Sequence, residues 1–423
     1  MRARAWAFGL GFAANLTACG GKTDDAAGQS GGVGGAGGTT ASGGGSGGAS
    51  IGGSGGGTTQ ACVVESMGAL PSPAAPTALV SSVGIVATDT AFVLGYREQA
   101  GNELRAILQT LSDSGTANQA AVFELDGCAT AAPTDGVSLA YRSGQGMFVA
   151  STPDCGKGAG AIFVPFDDQG TVQQASSPKN AAFSALDTTL RAVAPHQVAG
   201  NWEFVYTVTS DQPQVAELIV LEGTVFKSTI AHPFGPGPRA WISVATTPDV
   251  LSVLSADTAG TLDWLAGPNL GDAPQVTPAP SLPASTKGDL IAFGPRVAAA
   301  ALLPTALHLS VGELTTGGFG VVSEHELPSA GALSFALATD AGDLFAALGH
   351  PGAIELQHVE GVTTSPQWQK AGVAKFDAAP LAQFDGEALA VAAARGRVAV
   401  VWTSSAKLTP PMPTGGWLIA RCE

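Results

Sequence analysis

Val83-Gly-Ile-Val-Ala87, Thr88-Asp-Thr90, Ala91-Phe-Val-Leu-Gly-Tyr96 is two short apolar runs joined by a polar turn. Runs this short, rich in β-branched and aromatic side chains, are poor helices and read as paired strands. The unit returns down the chain. Val137–Tyr141 leads through Arg142–Gly146 to Met147–Ala150, Leu190–Ala194 leads to Trp202–Tyr206, and Trp241–Ala245 leads to Val250–Leu254. Leu290–Phe293 leads to Val297–Leu303, Leu333–Leu337 to Leu344–Leu348, and Ala388–Val391 to Val398–Trp402. The units start at 83, 137, 190, 241, 290, 333 and 388.

The mean spacing of these starts is about 51 residues, with room between them for two more strands, as in Ala161–Val164 and Ala181–Phe183. A period in this range filled by four short strands marks a β-propeller blade. Fifty-seven Gly and 27 Pro agree with many turns and few long helices. Two Ala-rich segments, Val297–Leu303 and Glu387–Ala394, carry helical propensity. Pro295 and Pro304 bracket the first, and Gly386, Gly396, Val398, Val400 and Val401 oppose helix in the second. Both are expected to be strands. The fold class predicted for residues 62–423 is all-β, a seven-bladed β-propeller with an N-terminal strand closing the last blade.

The chain resembles seven-bladed propellers as an architecture, without a specific subfamily. Ser255-Ala-Asp257-Thr-Ala-Gly260-Thr261 comes near the box of sialidase propellers, but its spacing differs, as it does in Ser112-Asp-Ser-Gly115-Thr116 and Asp167-Asp-Gln-Gly170-Thr171. All three read as Asp/Gly turns joining strands. The Trp-Asp ending of WD40 repeats does not recur. Propellers commonly build their last blade from both chain ends. By that resemblance, Cys62-Val-Val64 supplies the outer strand of a blade that starts near Phe384 and ends at Gly416–Cys422.

The N-terminal region carries a different signal. Arg2 and Arg4 precede an apolar stretch, Ala5–Ala14, which is too short to span a bilayer. Leu16-Thr-Ala-Cys19 follows and resembles the lipobox of bacterial lipoproteins. That resemblance implies a signal peptide at 1–18, a diacylated Cys19 and stable anchoring through more than one acyl chain. Gly20, where Asp would favour inner-membrane retention, implies the outer membrane of the cell envelope. In residues 20–60, 19 of 41 positions are Gly, so no core can form there. Residues 19–61 are expected to be a tether with a reach of roughly 35 Å.

Four cysteines remain: Cys62, Cys128, Cys155 and Cys422. An even number in an exported chain favours disulfides, and four allow three pairings; buried free thiols are the alternative. The propeller resemblance implies Cys62 beside Cys422, and it makes Cys128 with Cys155, on one face of adjacent blades, a second pair.

Net charge is −15, and removal of Arg2 and Arg4 makes it more negative. This excludes nucleic acid as an expected partner. No two of the six histidines are closer than eight residues, so no metal and no cofactor are expected. His325, between Glu324 and Glu326, reads as a surface salt-bridging residue. No catalytic residue is assigned. The binding candidates are residues of the loops between second and third strands: Arg97, Asp154, Lys157, His350 and Lys407. The expected function is a monomeric, lipid-anchored binding or scaffold protein, non-enzymatic, whose partner is an envelope protein or glycan. The alternative is a propeller enzyme, a glycan hydrolase or lyase with channel acids.

Overall fold

A computed structural model describes residues 62–422, apart from 71–77, 102, 119, 126–135, 143, 153–159, 173–178, 183–187, 196–200, 209–214, 223–224, 234–238, 248–250, 268–274, 278–281, 316–317, 361–368, 377–383, 387 and 405–414. The expectations for the signal peptide, Cys19 and the tether lie outside the described residues, as do those for Cys128, Asp154, Cys155, Lys157 and Lys407.

Among the described residues, 28 strands form seven four-stranded antiparallel sheets. After β1 (Val63–Ala69), the first sheet is β2 (Leu79–Ala87), β3 (Phe92–Ala100), β4 (Glu103–Leu111) and β5 (Ala121–Leu125). The second is β6 (Val137–Arg142), β7 (Gln145–Thr152), β8 (Gly160–Asp167) and β9 (Lys179–Ala182). The third is β10 (Thr188–Pro195), β11 (Asn201–Val208), β12 (Val215–Glu222) and β13 (Val225–Pro233). The fourth is β14 (Arg239–Thr246), β15 (Leu251–Asp257), β16 (Leu262–Gly267) and β17 (Gln275–Thr277). The fifth is β18 (Gly288–Phe293), β19 (Arg296–Leu302), β20 (Ala306–Thr315) and β21 (Gly318–Pro328). The sixth is β22 (Ser334–Asp340), β23 (Asp343–His350), β24 (Ala353–Glu360) and β25 (Gln369–Phe376). The last is β26 (Ala388–Ala394), β27 (Arg397–Thr403) and β28 (Gly415–Arg421), completed by β1 in the order β1-β28-β27-β26.

Each sheet is a meander, and the first strand of each lies against the first strand of the next: β2 on β6, β6 on β10, β10 on β14, β14 on β18, β18 on β22 and β22 on β26. β26 also lies against β2. Successive meanders packed through their first strands make a β-propeller.

Packing between sheets explains the Ala-rich strands. In β19, Val297 and Ala299 pack with Trp241, Leu254 and Trp264 of the fourth sheet. Ala298 and Ala300 pack with Leu344, Ala346 and Leu348 of the sixth. A second strand is therefore covered on both faces, and small side chains let its neighbours approach. Helical propensity loses to this two-sided burial. The same applies to β27, where residues 398–403 are all buried.

Two boundaries differ from expectation. The turn expected at Arg142–Gly146 is much shorter, because β6 runs through Arg142 and β7 starts at Gln145. β3 continues past Tyr96 to Ala100, paired with β4 along its length.

Candidate functional site

In an antiparallel meander, first-to-second and third-to-fourth connections share one end of the sheet, and second-to-third connections share the other. Cys62 enters β1 opposite the C-terminal end of β28, since Val63 pairs with Arg421. The Cys62–Cys422 bond (S–S 2.04 Å) therefore lies at the end carrying the first-to-second turns. Cys422 N–H reaches Gly396 O, in the β26–β27 turn, at 3.4 Å. We call this the clasp end. The second-to-third connections lie at the opposite end.

The loop expectation fails for Arg97. It lies inside β3, is buried (4% exposed), and its Nε donates to Ser81 Oγ at 3.1 Å. The strand is longer than the apolar run that marked it, because Arg97 and Glu98 are themselves buried. His350 does lie by a second-to-third turn, as the last residue of β23 before Pro351 and Gly352. Its Nε2 is 3.7 Å from Glu355 Oε2. The structure places these two candidates in different sheets and does not bring them together.

The three Asp/Gly turns form as read. Asp167 Oδ1 accepts from Gln169 N–H (2.9 Å) and Thr171 N–H (2.8 Å). Asp257 Oδ1 does the same for Ala259 and Thr261, both at 2.8 Å. In the third turn, Ser112 Oγ accepts from Thr116 N–H at 2.9 Å. Gly170 takes φ +74 and faces Thr110 of the first sheet, so a turn of one sheet caps its neighbour.

His325 is half-buried on β21, and burial lowers its imidazole below the usual value. Glu326 instead lies 3.8 Å from His308 Nδ1, a cross-strand neighbour. Alternation along the strand, exposed at Glu324 and Glu326 and half-buried at His325, sets this division. Among the described residues, no group of three or more His, Cys, Asp and Glu could hold a metal ion.

Sequence reasoning missed Asp289, the second residue of β18. Its Oδ1 accepts from Ser243 Oγ (2.9 Å) on β14 and from Leu290 N–H (2.8 Å). Its Oδ2 accepts from Leu337 N–H (3.2 Å) on β22. One carboxylate thus ties three successive first strands. It is half-buried by area but walled by those strands, and burial pushes it above the usual carboxylate range despite the three donors. The signal available was a lone acid in an otherwise apolar first strand, Gly288-Asp-Leu-Ile-Ala-Phe293.

Also missed was the clasp-end cluster at Arg395. Its Nη2 donates to Asp113 Oδ1 at 2.7 Å and its Nε to Oδ2 at 3.1 Å. It also donates to Thr88 O and covers the Phe92 ring at 5.3 Å. Arg397 Nε donates to Glu65 Oε2 at 2.7 Å. A cleft of about 380 Å³ opens at the same end, between the β18–β19 and β22–β23 turns, lined by Phe293, Pro295, Thr339 and Asp340 among others.

No protein-family model matches the chain, and no curated protein matches it. Solved structures do. A six-bladed β-propeller fungal lectin of Aleuria aurantia, with a fucose recognition mode, is 11% identical, with a TM-score of 0.42 over 72% of this chain and 96% of the lectin. Trypanosoma rangeli sialidase, in complex with the inhibitor DANA, is 10% identical, with a TM-score of 0.45 over 64% of this chain and 53% of the sialidase. At such scores neither likeness bears on ligand or reaction.

Proposed function

We propose that this chain is a lipid-anchored cell-envelope protein presenting a closed, seven-bladed β-propeller as a binding or scaffold module, without catalysis. One observation carries the binding reading. The first strands, which face one another, are mostly small and apolar; Arg142, Arg191 and Arg239 are their basic residues, and among them only Asp289 and Asp340 are acidic. Asp289 is the second residue of β18 and Asp340 the last of β22, and the lone pairs of Asp289 already serve Ser243, Leu290 and Leu337. Glycoside hydrolysis calls for two carboxyl groups about 5–9.5 Å apart across the scissile bond.

The closed ring is supported by the contact of β26 with β2 and by a last sheet that joins both chain ends. The presenting surface is the end opposite the clasp, where His350 lies. Anchoring through Cys19, placement at the outer membrane, the tether at 19–61 and a Cys128–Cys155 bond rest on the residue patterns described above. The envelope partner is a protein or a glycan, and the protein acts as a monomer.

The glycan-enzyme reading has one observation in its favour: a carboxyl raised by burial is a property of general acids.

Two measurements test the proposal. Wild-type protein made in a Gram-negative host should incorporate labelled palmitate and enter a detergent phase, while C19A should do neither. Purified protein on a panel of envelope polysaccharides should retain its ligand with unchanged mass. A shortened or unsaturated product, lost in D289N, would replace binding by catalysis.

A further inference from the structure

We propose that β1 is a strap locked by a disulfide: with Cys62–Cys422 reduced, β1 leaves the last sheet by local unfolding while the other strands stay folded.

Without the bond, β1 is held by little. No residue of β1 is buried, and Val63 is 64% exposed. Its partner β28 has six consecutive buried residues, 415–420. β28 keeps β27 on its other side, whereas β1 is an edge strand with one neighbour. The β1–β28 ladder carries a register shift between Val64 and Ser66, which removes regular pairing near its middle. The Glu65–Arg397 pair is 28% exposed on both sides, so solvent screens it. Ser66 Oγ is buried with no hydrogen-bond partner, a cost that release of the strand removes. Gly68 lies against the Trp417 ring, where a Cβ would come within 2.7 Å, so β1 puts no side chain of its own into that contact. Segments with few buried apolar contacts open independently of the whole fold.

The disulfide changes this. It joins the residue before β1 to the residue after β28 across 360 positions, and both cysteines are buried (5% and 9% exposed). With the bond intact, β1 is fixed at both ends: by the bond, and by the chain running on into β2. Detachment then yields a short closed loop rather than a free end, and it gains little entropy. Reduction takes two electrons and two protons. A dithiol supplies both, becomes a cyclic disulfide, and leaves Cys62 and Cys422 as thiols. The bared edge of β28 then offers unpaired backbone groups to another strand.

Hydrogen exchange read by mass spectrometry tests this on the full chain. In dithiol-treated wild type and in C62A/C422A, amides of 64–69 should exchange roughly tenfold faster or more than in the oxidised protein, while β3, β19 and β23 keep their protection. A labelled peptide of sequence VVESMGA should bind the reduced protein and not the oxidised one. Unchanged exchange in β1 would overturn the proposal, because the ladder alone would then hold the strand. Equal acceleration in all sheets would also overturn it, making the bond a global staple. If the double variant does not fold, titrating folded wild type with dithiol gives the same readout.

Discussion

Arg395 and Asp113 lie 282 residues apart in sequence and form a two-pronged ion pair across the seam between the last sheet and the first. Arg395 holds a left-handed backbone (φ 56) to do so, a conformation that costs a non-glycine residue about 1 kcal/mol or more. The pair fastens the β26–β27 turn to the β4–β5 turn at the clasp end.

The Arg395 guanidinium, by hydrogen bond and by charge, holds the Asp113 carboxyl below the usual range. A depressed carboxyl contributes stability that is present above its unfolded value and lost as pH falls through the folded one. D113N should therefore lower stability by about 1 kcal/mol at neutral pH and low salt, less at high salt, with the difference from wild type vanishing in acid. Urea unfolding at several pH values checks this.

Asp289 has the opposite sign. Its carboxyl is raised by burial, so its contribution is complete below the unfolded carboxylate value and is lost as pH rises through the folded one. The stability difference between wild type and D289N should shrink with rising pH across that window. A difference that grows with pH would show that the three donors outweigh burial.

Gly146 marks close packing inside the second sheet. A Cβ there would come within 2.0 Å of the Phe166 ring, which is fully buried and has nowhere to move. G146A should cost about 1–3 kcal/mol by overpacking, despite its gain in β-sheet backbone entropy. Thermal unfolding of G146A against wild type measures it.

Asp167 and Asp257 perform one task in two sheets, each accepting two turn amides. D167A and D257A should each cost about 1–2 kcal/mol, and the double variant should cost their sum, since the turns belong to different sheets. A single value well above the other would mean that contacts beyond the turn matter.

The strand units, their rhythm and the three turns were legible because each rests on local chemistry: apolar alternation, β-branching and Asp/Gly turn geometry. The Cys62–Cys422 bond was reachable only through resemblance, since two residues 360 apart leave no local trace. Arg97 was misplaced because a buried charged residue ends an apolar run on paper while the strand continues. Asp289 and the Arg395–Asp113 pair were invisible for a related reason. Their roles depend on which strands and turns become neighbours, and a lone acid or an Ala-Arg-Gly turn looks the same wherever it lies.

The pairing of β1 with β28 also constrains the order of events during synthesis. Among the described residues, the earliest strand to be made has to wait for the latest. At ordinary elongation rates, the interval between Cys62 and Cys422 is about 20–70 s. Until β28 is made, β1 has no partner of its own. A nascent chain therefore carries β1 unpaired until Gly415–Arg421 has been made.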